Sequence, residues 1–205
     1  MVSGRDSHHD NDVKTAHTPS FVFLLSSCAT LLLFGTACST ISPSARRVNP
    51  PSKDGVSYWQ GDQMGGSPSI RISLSEQKAY FYKGSELAGV SLISSGREGL
   101  DTVTGDFKII QKDREHRSSI FGDYVNVQGE IIQKDVDTSK HPMPSGARYV
   151  GASMPCFMRI VGGTGMHAGF LPGYADSHGC IRMPDYMAAA FFDSVAVGTP
   201  VAIQF

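Results

Sequence analysis

The sequence predicts a mainly β domain, an antiparallel sandwich or half-barrel carrying one C-terminal helix. Three observations predict it: short strand-period runs begin at Ile70, turn residues separate them, and a single helical period appears near the end. Ile70, Ile72 and Leu74 alternate with Arg71 and Ser73, the period of a half-buried strand. Glu76-Gln77-Lys78 reads as a turn, Ala79 to Tyr82 as a second strand, and Lys83-Gly84-Ser85-Glu86 as a hairpin loop. Leu87 to Ile93 is a third strand. Phe107 to Gln111 is a fourth, after the turn-prone Thr104-Gly105-Asp106. Residues 112–153 are polar, with weak strands at 124–127 and 130–133, and Pro155 to Ile160 is an apolar, buried stretch. Asp185 to Val195 places Met187, Ala190, Phe191 and Val195 on one helical face. Pro184 suits the first turn of that helix and Gly198-Thr199-Pro200 ends it. Val201 to Phe205 closes the fold as a strand.

Three segments follow from composition. The apolar run Phe21 to Phe34 is short for a membrane span and suits a secretory signal. Gly35, Thr36 and Ala37 then precede Cys38, which makes 1–38 an export signal of lipoprotein type with Cys38 as lipidation site. Cys28 fits the local pattern, but cutting there leaves most of the apolar run on the mature chain. An ordinary signal peptide or an uncut anchor are the alternatives. All three readings export the rest of the chain, to the cell envelope or periplasm. Residues 39–69, rich in Ser, Pro and Gly, read as a tether, with Tyr58 and Trp59 packing on the domain edge. Residues 70–205 form the domain. With 18 basic and 19 acidic residues, the net charge of −1 argues against a nucleic-acid binder, which would usually show a basic face.

Chemistry concentrates between 165 and 182. Gly165-Met166-His167-Ala168-Gly169-Phe170 is followed by Ser177-His178-Gly179-Cys180-Ile181-Arg182. Two histidines and one cysteine among glycines read as a site on a loop. A cysteine nucleophile needs its thiolate, and histidine titrates in the range to take the proton and return it to a leaving amine. The oxyanion formed on attack needs backbone N–H donors, which the bend at Gly179 could present. Cys156, beside Pro155 and Phe157, reads as a buried small hydrophobe. A Cys156–Cys180 disulfide is the oxidised alternative to a free thiol. His116 and His141 stand in polar stretches and read as solvated.

These residues resemble the L,D-transpeptidase catalytic (YkuD-type) family, whose signature is an upstream histidine followed by Ser-His-Gly-Cys-x-Arg. Ser95 to Gly99, Thr102 to Phe107 and Gly198 to Val201 add to the resemblance, which covers residues 70–205. It implies Cys180 as nucleophile and His167 as base, the ring oriented by the Ala168 carbonyl. It implies an oxyanion pocket from the N–H groups of His178, Gly179 and Cys180, with Ser177 and Arg182 bracing the loop. Arg182 could also face a substrate carboxylate, and Tyr174 and Phe170 could line the cleft. The substrates implied are peptidoglycan stem peptides, cleaved after the L-centre of a diamino acid with release of D-alanine. The acyl group passes to an amine on another stem or on a wall-linked protein, with no metal and no organic cofactor. Val103 departs from the family's proline, and the His167–Ser177 gap is shorter than in many members.

Other readings remain open at this level. Water as acceptor makes a carboxypeptidase or amidase. His167, His178 and Cys180 could instead hold zinc. A non-catalytic wall-binding lipoprotein needs no activated thiol.

Overall fold

The structure is a computed structural model that describes residues 54–205, so the export segment, Cys38 and residues 39–53 lie outside it. The first strand, β1, is Tyr58–Trp59, inside the stretch read as tether. It is followed by β2 (Pro68–Ser73), β3 (Lys78–Lys83) and β4 (Glu86–Leu92), where the alternation and the two turns place them. The expected strand 107–111 is two: β5 (Gly105–Lys108) and β6 (Gln111–Asp113). The break falls at Ile109, which is fully buried. Its N–H donates to the Thr199 carbonyl, while that of Ile110 donates to the Arg159 carbonyl. The chain thus crosses from one sheet to another at this corner, which apolar spacing cannot reveal.

The polar stretch forms a sheet of its own from β7 (Arg117–Val125), β8 (Ile131–Asp137) and β9 (Arg148–Ser153), in the order β8-β7-β9. Only its middle was legible, because few of its side chains are buried and the alternation is diluted. Then come β10 (Phe157–Val161), β11 (Thr164–Ala168), β12 (Ile181–Met183), the helix α1 (Asp185–Ser194) and β13 (Pro200–Gln204). The largest sheet runs β1-β4-β3-β2-β13-β5 and the second runs β12-β11-β10-β6. Among the described strands pairing is antiparallel with two exceptions, β13 beside β2 and β12 beside β11. Among the described residues the fold is therefore mainly β with one α-helix, as the sequence predicts, but its sheets are mixed.

The helix buries Met187, Ala188, Phe191 and Phe192, with Val195 buried at its C-cap. Ala190 is only half-buried, so the buried stripe is rotated toward Ala188 and Phe192 relative to the expected face. Phe191 meets Phe81 at a ring-centroid distance of 4.9 Å, and Phe81 meets Trp59 edge-on at 5.0 Å. Trp59 fits because its neighbours lack side chains: a Cβ on Gly61 or Gly89 would lie 2.6 or 2.7 Å from its ring. Removing an aromatic ring from such a cluster costs about 3–5 kcal/mol.

Candidate active site

His167 lies on a strand, β11, and not on a loop. A strand fixes the ring's direction more firmly than a loop can. A carbonyl oxygen only accepts, so the 2.8 Å contact with the Ala168 oxygen puts the proton on Nδ1 and leaves Nε2 as an acceptor. The residue is 7% exposed. Burial pushes its pKa from 6.5 down to about 4, opposed by the Ala168 carbonyl and reinforced by the charges of Arg182 and His116. His167 is a neutral imidazole near neutral pH.

Parallel pairing of β12 with β11 sets Met166 beside Ile181 and His167 beside Arg182, which brings Cys180 alongside Gly165. The Cys180 sulfur is 3.6 Å from the Gly163 carbonyl. Burial pushes the thiol up, while the Gly165 backbone and the charges of Arg159 and Arg182 pull the other way. Cys180 and His167 line the same cavity of about 350 Å³. Cys156 and Cys180 are both free thiols. Cys156 is buried 3.9 Å from the Arg114 guanidinium, with its thiol pushed up by burial.

The turn ahead of the thiol is built from hydroxyls. Ser177 Oγ donates to the Cys180 carbonyl and accepts from the Gly179 N–H at 3.1 Å. Gly179 has φ +106°, a conformation that side chains disfavour. Its carbonyl accepts from Thr102 Oγ1 at 2.9 Å, and Thr102 Oγ1 in turn accepts from the Gly96 N–H at 2.8 Å. Of the three amides considered for an oxyanion, that of Gly179 is engaged by Ser177, while those of His178 and Cys180 are not taken up by this turn. The loop is also laced to 94–97: Ser94 and Arg182 exchange backbone hydrogen bonds, and the Ser177 carbonyl accepts from the Arg97 N–H. Gln77 holds that segment from behind, donating to Ser95 Oγ and accepting from the Ser95 N–H.

The remaining residues named from sequence fall as follows. His178 lines the cavity, stacked on Phe121 at 4.3 Å, with Nε2 accepting from Arg97 at 3.0 Å. Burial, then Arg97 and Arg182, lower its pKa. Arg182 lines the cavity and pairs with Asp176 at 3.1 Å. Phe170 stands at the cavity rim, 77% exposed. Tyr174 is exposed and does not line the cavity; its carbonyl accepts from Ser94 Oγ. The described residues contain no group of three His, Cys, Asp or Glu placed to hold a metal ion.

Sequence reasoning missed several contributors. Arg97 and Thr102 lie in stretches that drew attention, but nothing tied them to the cysteine. His116 is not solvated. It is half-buried on the cavity wall, stacked on Phe157 at 4.2 Å, with Nδ1–H donating to Asp113 at 3.0 Å. Arg159, also on the wall, carried no signal, because the pairing of β10 with β6 and with β11 brings it there. His141 is half-buried, its Nδ1 accepting from the Asp137 N–H.

The YkuD model, the L,D-transpeptidase catalytic domain, matches residues 67–203, and the chain belongs to this family. Among solved structures, an L,D-transpeptidase from Mycobacterium tuberculosis H37Rv is similar at 20% identity with a TM-score of 0.52, covering 69% of this chain and 59% of that one. One from Mycobacterium smegmatis is similar at 18% identity and TM-score 0.50, with 69% and 60% covered. One from Stackebrandtia nassauensis is similar at 16% identity and TM-score 0.50, with 75% and 60% covered. This chain therefore spans about three fifths of the length of those proteins. No curated protein matches.

Proposed function

We propose that this protein is a peptidoglycan L,D-transpeptidase acting through Cys180. The observation that carries the reading is the shared cavity, into which His167 and Cys180 both open, with the His167 Nδ1 proton pinned by Ala168. Nε2 takes the thiol proton as sulfur attacks the amide carbonyl after the L-centre of the diamino acid. The oxyanion is held by the amides of His178 and Cys180. His167 returns the proton to the departing D-alanine nitrogen, leaving a thioester. An amine then attacks, its proton passes to His167, and the thiol re-forms with a new amide. Water in place of the amine gives a carboxypeptidase from the same intermediate. Export and lipid attachment at Cys38 would put the domain beside the wall.

Two measurements on one preparation test the reading. Intact-protein mass spectrometry after exposure to a carbapenem should find one adduct, on Cys180 and absent from Cys180→Ala. Incubation with purified muropeptides should release D-alanine and form cross-linked products. An unmodified wild-type enzyme, or turnover retained in Cys180→Ala, refutes the nucleophile; shortened stems without cross-links make water the acceptor.

A further inference from the structure

The cavity wall carries two permanent cations, Arg159 and Arg182, and they differ in what faces them. Arg182 already has a carboxylate, Asp176 at 3.1 Å. Arg159 has no carboxylate within ion-pair distance among the described residues. It is nevertheless held in place. Its Nε–H donates to Gln111 Oε1 at 2.8 Å and one Nη donates to the Gly162 carbonyl at 2.7 Å. The guanidinium lies over the Phe157 ring, 5.0 Å from the centroid. These partners are neutral, so they fix the group without cancelling its charge, and neither hydrogen bond uses the second Nη. A half-enclosed cavity concentrates the field of such a charge, and a guanidinium presents parallel donors that match a carboxylate. Arg159 also lies close enough to Cys180 for its charge to favour the thiolate.

We propose that Arg159 binds a carboxylate of the peptide substrate and so makes the enzyme prefer free-acid stems to amidated ones. The inference rests on the transpeptidase reading and adds the residue that selects the substrate's charge. Two carboxylates qualify: that of the departing D-alanine, and one carried by the diamino acid itself. Both offer the same group to the guanidinium, and amidation separates them.

The test uses synthetic stem tetrapeptides with neither, one, the other or both carboxylates amidated, on wild type, Arg159→Gln and Arg159→Lys. Initial rates of release of D-alanine, or of its amide, give kcat and KM. Amidating the recognised carboxylate should raise the wild-type KM roughly tenfold or more, with kcat within about threefold. Arg159→Gln should raise KM by a similar factor on the free acid and show no further rise on that amide. Arg159→Lys should fall between, since it keeps the charge and loses the fork. Equal wild-type KM values across the four peptides overturn the proposal, as does an Arg159→Gln penalty that persists unchanged on every amide. The wild-type series needs no variant, so a glutamine form that fails to fold does not blunt the test. A wild-type enzyme that takes a carbapenem on Cys180 yet ignores amidation sinks this inference alone; one that takes neither carbapenem nor peptide sinks the transpeptidase reading with it.

Discussion

At the level of single residues, burial drives Cys180 and His167 toward their uncharged forms, the thiol up and the imidazole down to about 4. The resting pair is then a thiol and a neutral imidazole on one cavity, and in the proposed reaction the proton moves as the sulfur attacks. Acylation by a carbapenem should therefore hold its rate from neutral pH down to about pH 5 and fall as His167 is protonated near 4. Stopped-flow rates across that range check this; an acid limb near 6.5 or above would mean an ordinary histidine or a resting ion pair. His167→Ala should slow acylation by roughly 10²–10⁴-fold and leave a rate that climbs with thiolate ionisation. Stability follows the same displacement. The unfolded chain binds a proton at 6.5 and the folded one only near 4, so stability is full above 6.5 and is lost as pH falls toward 4. The His167 share of the loss is on the order of 3 kcal/mol, so the drop in urea titrations at the two ends of that range should be smaller by about that much in His167→Ala, which keeps the contribution of His178.

At the level of elements, the turn carrying the thiol depends on Thr102, a residue far from it in sequence. Thr102 is buried and satisfies the Gly179 carbonyl and the Gly96 N–H at once. Thr102→Val keeps the shape and strands both groups. It should cost about 1–3 kcal/mol and slow Cys180 acylation, while Thr102→Ser restores both, as thermal melts and carbapenem kinetics would check. A valine form with unchanged kinetics would mean that the turn holds itself. This coupling also marks how far the sequence could be read. Ser177 to Arg182 is contiguous, so Cys180 and the bend at Gly179 were legible together, with His167 a short way upstream. Thr102 and Arg97 reach the Cys180 loop, and His116 and Arg159 reach the cavity, only through strand pairing and loop lacing, and no local spacing encodes a partner in another element. The same reason hid the corner at Ile109, where a stretch that reads as one strand changes sheets.

Across the whole molecule, the largest sheet is closed by its last strand. β13 sits between β2 and β5, and α1 delivers it there while packing on β11 and β1. The mainly β class with one helix was legible from strand periods. The parallel placement of β13 was not, because alternation gives the faces of a strand and says nothing of its neighbour. Composition likewise favoured a tether through residue 69, yet β1 pairs with β4 through Tyr58–Val90 and Trp59–Gly89. A tryptophan on a tether contributes little to stability, whereas one packed on Phe81 and Phe191 contributes a core side chain. Trp59→Ala should therefore destabilise the domain by about 3–5 kcal/mol, read as a lowered urea midpoint. Trp59 stands apart from the cavity lining, so the folded fraction should still acylate at the wild-type rate per titrated thiol. An unchanged midpoint would return residues 54–69 to connecting sequence, and a normal midpoint with lost acylation would mean that this corner of the sheet supports the thiol and not the core.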